Sequence, residues 1–294
     1  MSFDPGFQKK YRRIYAQPHL DGIFASGLIS RLFNVPIRFK LLLRGAENSI
    51  IIGMPISNGA HIIQSFIIDI INCEKFLRET MTTNFMLCND NYGSLTDFVV
   101  DVFDFDVPED ILDAIYRIAV RDVQEDTLAE KFLVSWLMAP GRDVWRKLAI
   151  LIRKNSWSAI VDWAHRNAST MYAKHIVDLS QKLESRCQVL LRGVAMVRFS
   201  VRNKMEKLAA RLTLHRASNI SPVFISIGSE NSNAKICFVQ SQRYDLMLLS
   251  NFFVNLGYTV VARPNIVRIY VDENIQQFLD KLILAVRSSY KRIK

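Results

Sequence analysis

The sequence predicts an α/β protein: a parallel sheet flanked by helices in its first third, then helices, then a smaller mixed sheet. Three observations lead to this fold class. Short apolar runs of strand length, such as residues 49–52, alternate with stretches of helical spacing before residue 127. Residues 128–191 have helical spacing almost throughout, and short strands return after residue 192. Because strands that alternate with helices form βαβ units, we expect the first sheet to be parallel.

The elements of the first third follow from the spacing of apolar residues and from turn residues. A turn at residues 17–22 precedes a helix over 23–33, whose apolar positions bury one face. Residues 91–94 resemble the N-terminal cap of the helix that follows them. The predicted strands are 36–43, 49–52 and 66–71, with a turn at 61–65, and the predicted helices are 95–103 and 109–120.

Prolines, glycines and polar turns divide the rest of the chain. The helical stretch is interrupted at 139–141 and 155–156, and a polar loop at 228–233 predicts a hairpin. After residue 191 the predicted elements are strand 194–199, helix 204–215, strands 222–227 and 235–239, helix 245–254, strands 259–262 and 266–271, and helix 274–290. We therefore expect a domain over 1–127, a helical connector over 128–191 and a second domain over 192–294.

The composition is typical of a globular protein. Of the 294 residues, 50% are hydrophobic and 22% are charged, and no apolar run has the length of a membrane span. The first five residues do not form a secretory signal, so we expect a soluble, cytoplasmic protein without a membrane partner. The four cysteines are far apart and form no CxxC pair, which argues against a zinc ribbon. Buried thiols are favoured, and a disulfide between two of them remains open.

The charge is distributed unevenly along the chain. The formal net charge is +10, but residues 1–127 contain 12 Lys or Arg and 17 Asp or Glu, whereas the remainder contains 26 and 11. The first part is therefore mildly acidic and the rest strongly basic. This asymmetry predicts that the basic part binds an acidic partner, either nucleic acid or protein.

A dense group of basic residues is the candidate surface for that partner. Lys204, Lys207 and Arg211 repeat at helical spacing and form one stripe. Nucleic acid and an acidic protein surface would both suit this group. Its members are Arg198, Arg202, Lys204, Lys207, Arg211 and Arg216.

A second candidate site is expected where the strands of the first sheet end. Ligands of open α/β sheets bind beyond the carboxyl ends of the strands. Asp21, Met54 and Asp69 should lie at that edge. An acidic run from Asp97 to Asp113 fits a docking face or a solvated helix surface equally well.

Four short motifs carry a resemblance to a known family. Residues 17–22 read Gln-Pro-His-Leu-Asp-Gly, residues 69–71 Asp-Ile-Ile, residues 92–94 Tyr-Gly-Ser, and residues 118–122 Ile-Ala-Val-Arg-Asp. The series resembles the DHH phosphoesterase superfamily, specifically its RecJ-like members with a C-terminal DHH-associated domain. Those members have His-x-Asp-x-Asp-Gly, Asp-His-His, a Tyr-Gly-Gly-Ser-like turn and a final aspartate. The resemblance implies a degenerate DHH-like domain over 1–127 and a DHH-associated domain over 192–294.

The resemblance also implies that the metal ligands of the family have been lost. Isoleucine, which cannot bind a cation, stands at both histidine positions, and Met54 or a neighbour stands at an acidic position. Two divalent cations need several carboxylates and imidazoles. We therefore expect no enzyme activity, no catalytic residue, no metal and no cofactor, and aspartates that cap helices or bind local amides. The vestigial positions are Asp21, Met54, Asp69, Ile70, Ile71 and Asp122.

Among RecJ-like proteins, the chain resembles the RecJ-related (cell division cycle protein 45-type) subunit of the CMG replicative helicase, in a short, archaeal-type form. This implies a non-catalytic DNA replication factor that binds the GINS complex, and through it the MCM helicase, and that could guide single-stranded DNA. Two alternatives remain open. One is a metal-dependent single-strand exonuclease or phosphoesterase with a reduced metal site at Asp21, Asp69 and Asp122. The other is a stand-alone module that binds single-stranded nucleic acid.

Overall fold

The computed structural model describes residues 10–71, 73, 84–139, 141–241, 244, 246–263 and 266–291. The chain divides into two compact units, and both are α/β. The first unit is Met1–Val120 with Glu125–Ala168, and the second is Arg121–Gln124 with Ser169–Lys294. The predicted fold class is confirmed, because a parallel sheet and a separate mixed sheet are both present.

The sheet of the first unit is parallel throughout. Its strands are β1 (Arg13–Ala16), β2 (Ile37–Phe39), β4 (Ser49–Ile52), β6 (Phe66–Asp69) and β7 (Phe85–Cys88), and β3 (Leu43–Glu47) and β5 (Ile56–Ile63) form a separate parallel pair. The strand order is β2-β1-β4-β6-β7. Every residue of β4 and β6 is buried, as expected for central strands covered on both faces.

Six described helices belong to the first unit: α1 (Leu20–Phe33), α2 (Leu95–Phe103), α3 (Glu109–Val120), α4 (Leu128–Met138), α5 (Arg142–Arg153) and α6 (Trp157–Ala168). Helix α1 is buried on nearly all sides and packs against α2 and α5. A Cβ on Gly27 of α1 would lie 2.8 Å from the Cβ of Ile152. Glycine therefore allows α1 and α5 to approach closely.

The second unit contains a mixed sheet in the order β12-β13-β11-β10-β9-β8. Its elements are α7 (Met171–Ser185), β8 (Gln188–Leu191), β9 (Val194–Ser200), α8 (Lys204–His215), β10 (Val223–Glu230), β11 (Asn233–Ser241), α9 (Met247–Asn255), β12 (Thr259–Arg263), β13 (Ile266–Asn274) and α10 (Ile275–Lys291). One face packs against α9 and α10 through a core that includes Ile269, Phe253 and Phe278. Helix α8 packs against β9 and β10.

Several predicted elements have the observed bounds, namely the helices 95–103, 109–120 and 204–215 and the strand 49–52. Strands β1, β7 and β8 are not predicted, and β5 includes part of a predicted turn. Strand β8 lies within the predicted helical connector 128–191, and it is held by antiparallel pairing with β9. β1 is short and begins at an arginine, and it is stabilised by β2 and β4 on its two sides. The first residue of the predicted helix 245–254 lies outside the described residues. No helix in the described part of the chain combines the length and apolar character of a membrane span.

Candidate functional site

The carboxyl ends of the parallel strands form the candidate site. β1 leads into α1, whose first turn carries Asp21, and β6 ends at Asp69. Met54 follows β4, which lies between β1 and β6. Because β2 lies on one side of β1 and the later strands lie on the other, the strand order reverses between β1 and β4. Such a reversal creates a crevice at the carboxyl edge of a sheet.

Asp21 is buried, and the N-terminus of α2 binds its carboxylate. Its Oδ1 accepts hydrogen bonds from the Ser94 hydroxyl at 2.9 Å, the Thr96 N–H at 2.8 Å and the Thr96 hydroxyl at 2.7 Å. Its Oδ2 accepts one from the Leu95 N–H at 2.9 Å. The first N–H groups of a helix lack intrahelical partners, and the positive end of the helix dipole favours an anion. Asp21 therefore acts as a cap for α2.

The residues beside Asp21 fix the turn that presents it. The Nδ1 atom of His19 accepts a hydrogen bond from the Gly22 N–H at 3.0 Å and so caps α1. A Cβ on Gly22 would lie 2.7 Å from the carbonyl oxygen of Gln17. Any larger residue would force this turn apart, so the Asp21-Gly22 pair has a structural role in the turn.

Asp69 is buried and faces the backbone that follows β6. Its Oδ1 accepts hydrogen bonds from the N–H groups of Ile70 at 2.8 Å and Ile71 at 3.2 Å. Carboxylates after a strand end often bind the next backbone amides in this way. The side chains of Ile70 and Ile71 are half-buried.

Met54 is buried in an apolar cluster with Tyr15, Ile51 and Ile67. The preceding Gly53 has a φ of +53°, which glycine adopts without steric strain. An apolar side chain therefore fills the position at which the family resemblance places an acidic ligand.

Asp97, which the sequence places in the acidic run and not at this site, is a further carboxyl group close to Asp21. It lies in the first turn of α2, and its Oδ1 is buried and accepts no hydrogen bond from the described residues. Burial, and then the negative charges of Asp21 and Asp113, raise the pKa of Asp97 from 3.8 to about 6. No local pattern reveals this shift, because Asp21 is distant in sequence.

Cys73 and Cys88 form a disulfide beside the site, with their Cα atoms 5.6 Å apart. Cys88 pairs in register with Asp69. With Asp90, the two cysteines form the one group of three or more candidate metal ligands among the described residues. Oxidised sulfurs offer no thiolate, so this group is not a metal site in the disulfide state. The disulfide corrects the favoured prediction of buried thiols, which holds for Cys237, whereas Cys187 is a free thiol that is half-buried.

Asp122 lies in the segment Arg121–Gln124, which belongs to the second unit. The Arg121 guanidinium donates a hydrogen bond to Oε1 of Gln240 at 2.8 Å. The Val123 N–H donates one to the carbonyl oxygen of His215 at 3.0 Å. Asp122 is therefore held in a segment that is fixed by the second unit, whereas Asp21 and Asp69 belong to the first.

The side chains at the carboxyl edge do not fit a pair of hard divalent cations. Such ions need several carboxylate or imidazole ligands that are open to the metal. Four protein donors hold the Asp21 carboxylate, and Asp69 binds backbone amides. The other vestigial positions of this edge supply no oxygen or nitrogen ligand from their side chains: Met54, Ile70 and Ile71.

Comparison with solved structures identifies the fold. The pGpG-specific phosphodiesterase PggH from Vibrio cholerae matches at 13% identity with a TM-score of 0.57, over 95% of this chain and 100% of PggH. RecJ from Thermus thermophilus, in complex with Mn²⁺, matches at 9% identity with a TM-score of 0.55, over 96% of this chain and 53% of RecJ. The DHH domain of PF0399, a member of the s1p family of ribosomal proteins, matches at 9% identity with a TM-score of 0.54. The match covers 96% of this chain and 88% of the PF0399 chain.

The chain has the RecJ-like DHH fold. No protein-family model and no curated protein matches its sequence, so the likeness concerns the fold alone. The chain spans about half of the RecJ chain. In this chain the two buried aspartates of the carboxyl edge, Asp21 and Asp69, bind protein donors.

The basic residues of the second unit do not form a single surface. Lys204, Lys207 and Arg211 are exposed on α8. Arg198 is exposed on β9, on the same sheet face as Met196 and the core beneath α9 and α10, because alternate residues of a strand share a face. Arg202 forms an ion pair with Glu230.

Arg216 does not belong to the candidate binding surface. It is 3% exposed, and its guanidinium lies 3.2 Å from the Glu184 carboxylate. A buried arginine with a carboxylate partner is a structural ion pair. Its position beyond the stripe of α8 gives no sign of this burial, because Glu184 comes from α7.

Proposed function

We propose that the protein is a non-catalytic DNA replication factor with a RecJ-like DHH fold. In this proposal it binds the GINS complex, and through it the MCM helicase, and its basic unit guides single-stranded DNA. The named partners rest on the resemblance of the degenerate motifs to the RecJ-related helicase subunits.

The hydrogen bonding of the Asp21 carboxylate is the observation that supports the non-catalytic part of the proposal. Hydrogen bonds to a charged group contribute about 1.5–3 kcal/mol each. Asp21 accepts four of them from the cap of α2. A cation at Asp21 would have to replace these bonds and leave the N–H groups of Leu95 and Thr96 without this acceptor. The carboxylate is therefore committed to the fold.

The division of charge supports binding by the second unit. That unit contains 20 Lys or Arg and 9 Asp or Glu, whereas the first contains 18 and 19. The net charge of +10 therefore arises from the second unit. A surface of this sign attracts polyanions, including nucleic acid, over a long range.

A phosphoesterase with a reduced metal site is the second candidate. The likeness to PggH, a pGpG-specific phosphodiesterase, and to RecJ in complex with Mn²⁺ favours it. It requires at least one cation at Asp21 and Asp69, and hence a rearrangement of the α2 cap.

Hydrolysis separates the two candidates. The purified chain is incubated with Mn²⁺ and either end-labelled single-stranded DNA or pGpG, and the products are resolved by electrophoresis or chromatography. We expect no product above the buffer control. Product that forms with the wild type and disappears in Asp69→Ala would contradict the proposal. Product that persists in that variant identifies a contaminating nuclease, and the purified sample must then be replaced.

Binding to GINS tests the partner. The chain is immobilised, and purified GINS is passed over it with a matched, unrelated DHH-fold protein as the control. We expect retention by this chain alone. GINS that passes through both columns would contradict the partner assignment and favour the stand-alone nucleic-acid-binding module.

A further inference from the structure

The face of the second sheet opposite to α9 and α10 carries two cross-strand rows. Because side chains alternate along a strand, the residues between the core positions of β11, β13 and β12 point away from that core. The register pairs Arg268 with Phe238 on one side and Val261 on the other. It also pairs Tyr270 with Ile236 and with Thr259. We call these six residues the row face.

The row face exposes aromatic and aliphatic groups together with a guanidinium. Tyr270 is 44% exposed and Val261 is 55% exposed, and Arg268 is exposed between them. The guanidinium carbon of Arg268 lies 5.1 Å from the centre of the Phe238 ring, so the cation covers an aromatic face. Exposed apolar groups that adjoin one another commonly mark an interaction surface.

The basic stripe of α8 lies on the same sheet face as the row face. Helix α8 packs against β9 and β10 and contributes no described residue to the core beneath α9 and α10, and β10 pairs with β11 of the row face. Arg211 is the last member of the stripe that begins with Lys204 and Lys207, and its pKa is lowered by partial burial and then by the positive charge of Arg268. Asp272 follows Tyr270 on β13, and its negative charge is paired with Lys235.

We propose that the row face and the α8 stripe together bind single-stranded nucleic acid. Bases would stack on Tyr270 and on the Phe238–Arg268 pair, and the phosphates would follow Lys204 and Lys207. Aromatic platforms beside a positive groove bind single strands without sequence preference. An acidic protein would use the same cations but would give the exposed ring of Tyr270 no comparable partner.

The inference rests on the DNA-guiding part of the proposed function and names its surface. It does not depend on whether the carboxyl edge of the first sheet is inactive. Binding is therefore measured in EDTA, where metal-dependent hydrolysis cannot occur, so that the two proposals fail separately.

Fluorescence anisotropy with a fluorescein-labelled oligo-dT strand tests the inference on the full chain. We expect Tyr270→Ala to weaken binding about 5- to 100-fold, because it removes one stacking platform. Tyr116→Ala is the matched control, since Tyr116 is 41% exposed on α3 of the first unit and should leave the affinity unchanged. Tyr270→Phe keeps the ring and should bind within about twofold of the wild type.

An abasic strand of the same length separates stacking from phosphate contacts. We expect the wild type and Tyr270→Ala to bind the abasic strand equally, because this strand has no base that could stack on Tyr270. The inference is overturned if the wild type does not bind oligo-dT, if Tyr270→Ala binds it like the wild type, or if Tyr116→Ala weakens it equally. Circular dichroism of each variant shows that the comparison is made between folded proteins.

Discussion

The two units present their charged groups to the surroundings in opposite ways. In the first, Asp21 and Asp69 are buried at strand ends and bind protein hydrogen-bond donors. In the second, Lys207 and Arg268 are exposed, and the Arg268 guanidinium lies over the Phe238 ring. The exposed cations therefore lie in a different unit from the buried aspartates. Two quantities test this contrast. One is the contribution of the buried aspartates to the free energy of unfolding, and the other is the contribution of the exposed cations to the affinity for a polyanion.

The largest expected effect is that of Asp21→Ala. The substitution leaves the buried N–H groups of Leu95 and Thr96 without their acceptor. We expect the free energy of unfolding to fall by about 3–5 kcal/mol. Urea unfolding in EDTA measures this loss. Asp69→Ala serves as the comparison and should lose about 1 kcal/mol, because its backbone donors belong to the next two residues and can reach water more readily. Equal stability of Asp21→Ala and the wild type would contradict the committed role of Asp21.

A smaller effect of opposite sign is expected for Asp97→Asn. The folded-state pKa of Asp97 is about 6, above its ordinary value of 3.8. The unfolded chain therefore loses this proton at lower pH than the folded chain does, and the charge destabilises the fold increasingly between pH 4 and pH 6. At pH 7.5, Asn should raise the free energy of unfolding by about 1 kcal/mol, with partial solvent screening taken into account.

The control for Asp97→Asn is pH itself. Near pH 2.8, about one unit below the ordinary pKa of 3.8, the carboxyl group is largely protonated in both states, so the gain should vanish. Urea unfolding at about pH 2.8 and at pH 7.5 gives the two values. A gain of equal size at both would show that the charge of Asp97 is not its cause.

The smallest expected effect concerns the exposed cations. Neutralising one phosphate contact by Lys207→Gln should reduce the slope of log affinity against log salt by about 0.7 for a single strand. Lys147→Gln is the matched control and should leave the slope unchanged, because Lys147 is exposed on α5 of the first unit. Titrations of oligo-dT at several salt concentrations measure both slopes. Equal slopes for Lys207→Gln and the wild type would remove Lys207 from the phosphate path.

The sequence predicts an element of the fold well where the element has a regular spacing of apolar residues and a capping residue. Helix α2 begins after Ser94 as predicted, because the Ser94 side chain accepts from the Asp97 N–H. Strand β1 is not accessible in this way, since it has four residues and depends on pairing with β2 and β4. The division at 121–124 and at 169 likewise arises from tertiary packing.

The candidate site is only partly accessible for the same reason. The positions of Asp21, Met54 and Asp69 at one sheet edge follow from the βα pattern. The donors that bind Asp21 lie 73 to 75 residues away, and nothing local indicates them. The sequence predicts that Arg216 is a binding residue, but Arg216 is buried. Its burial cannot be predicted locally either, because its partner Glu184 belongs to another helix.

The short segment Arg121–Gln124 has a consequence for the order in which the protein assembles during synthesis. The Val123 N–H needs the carbonyl of His215, which leaves the ribosome about 90 residues later. The strands and helices that precede Val120 can therefore associate early. The segment Arg121–Gln124 can form its hydrogen bond to His215 only after residue 215 has been synthesised. A truncated polypeptide that starts at Ser169 would lack the segment Arg121–Gln124, and with it the hydrogen bond from the Val123 N–H to the His215 carbonyl at the end of α8.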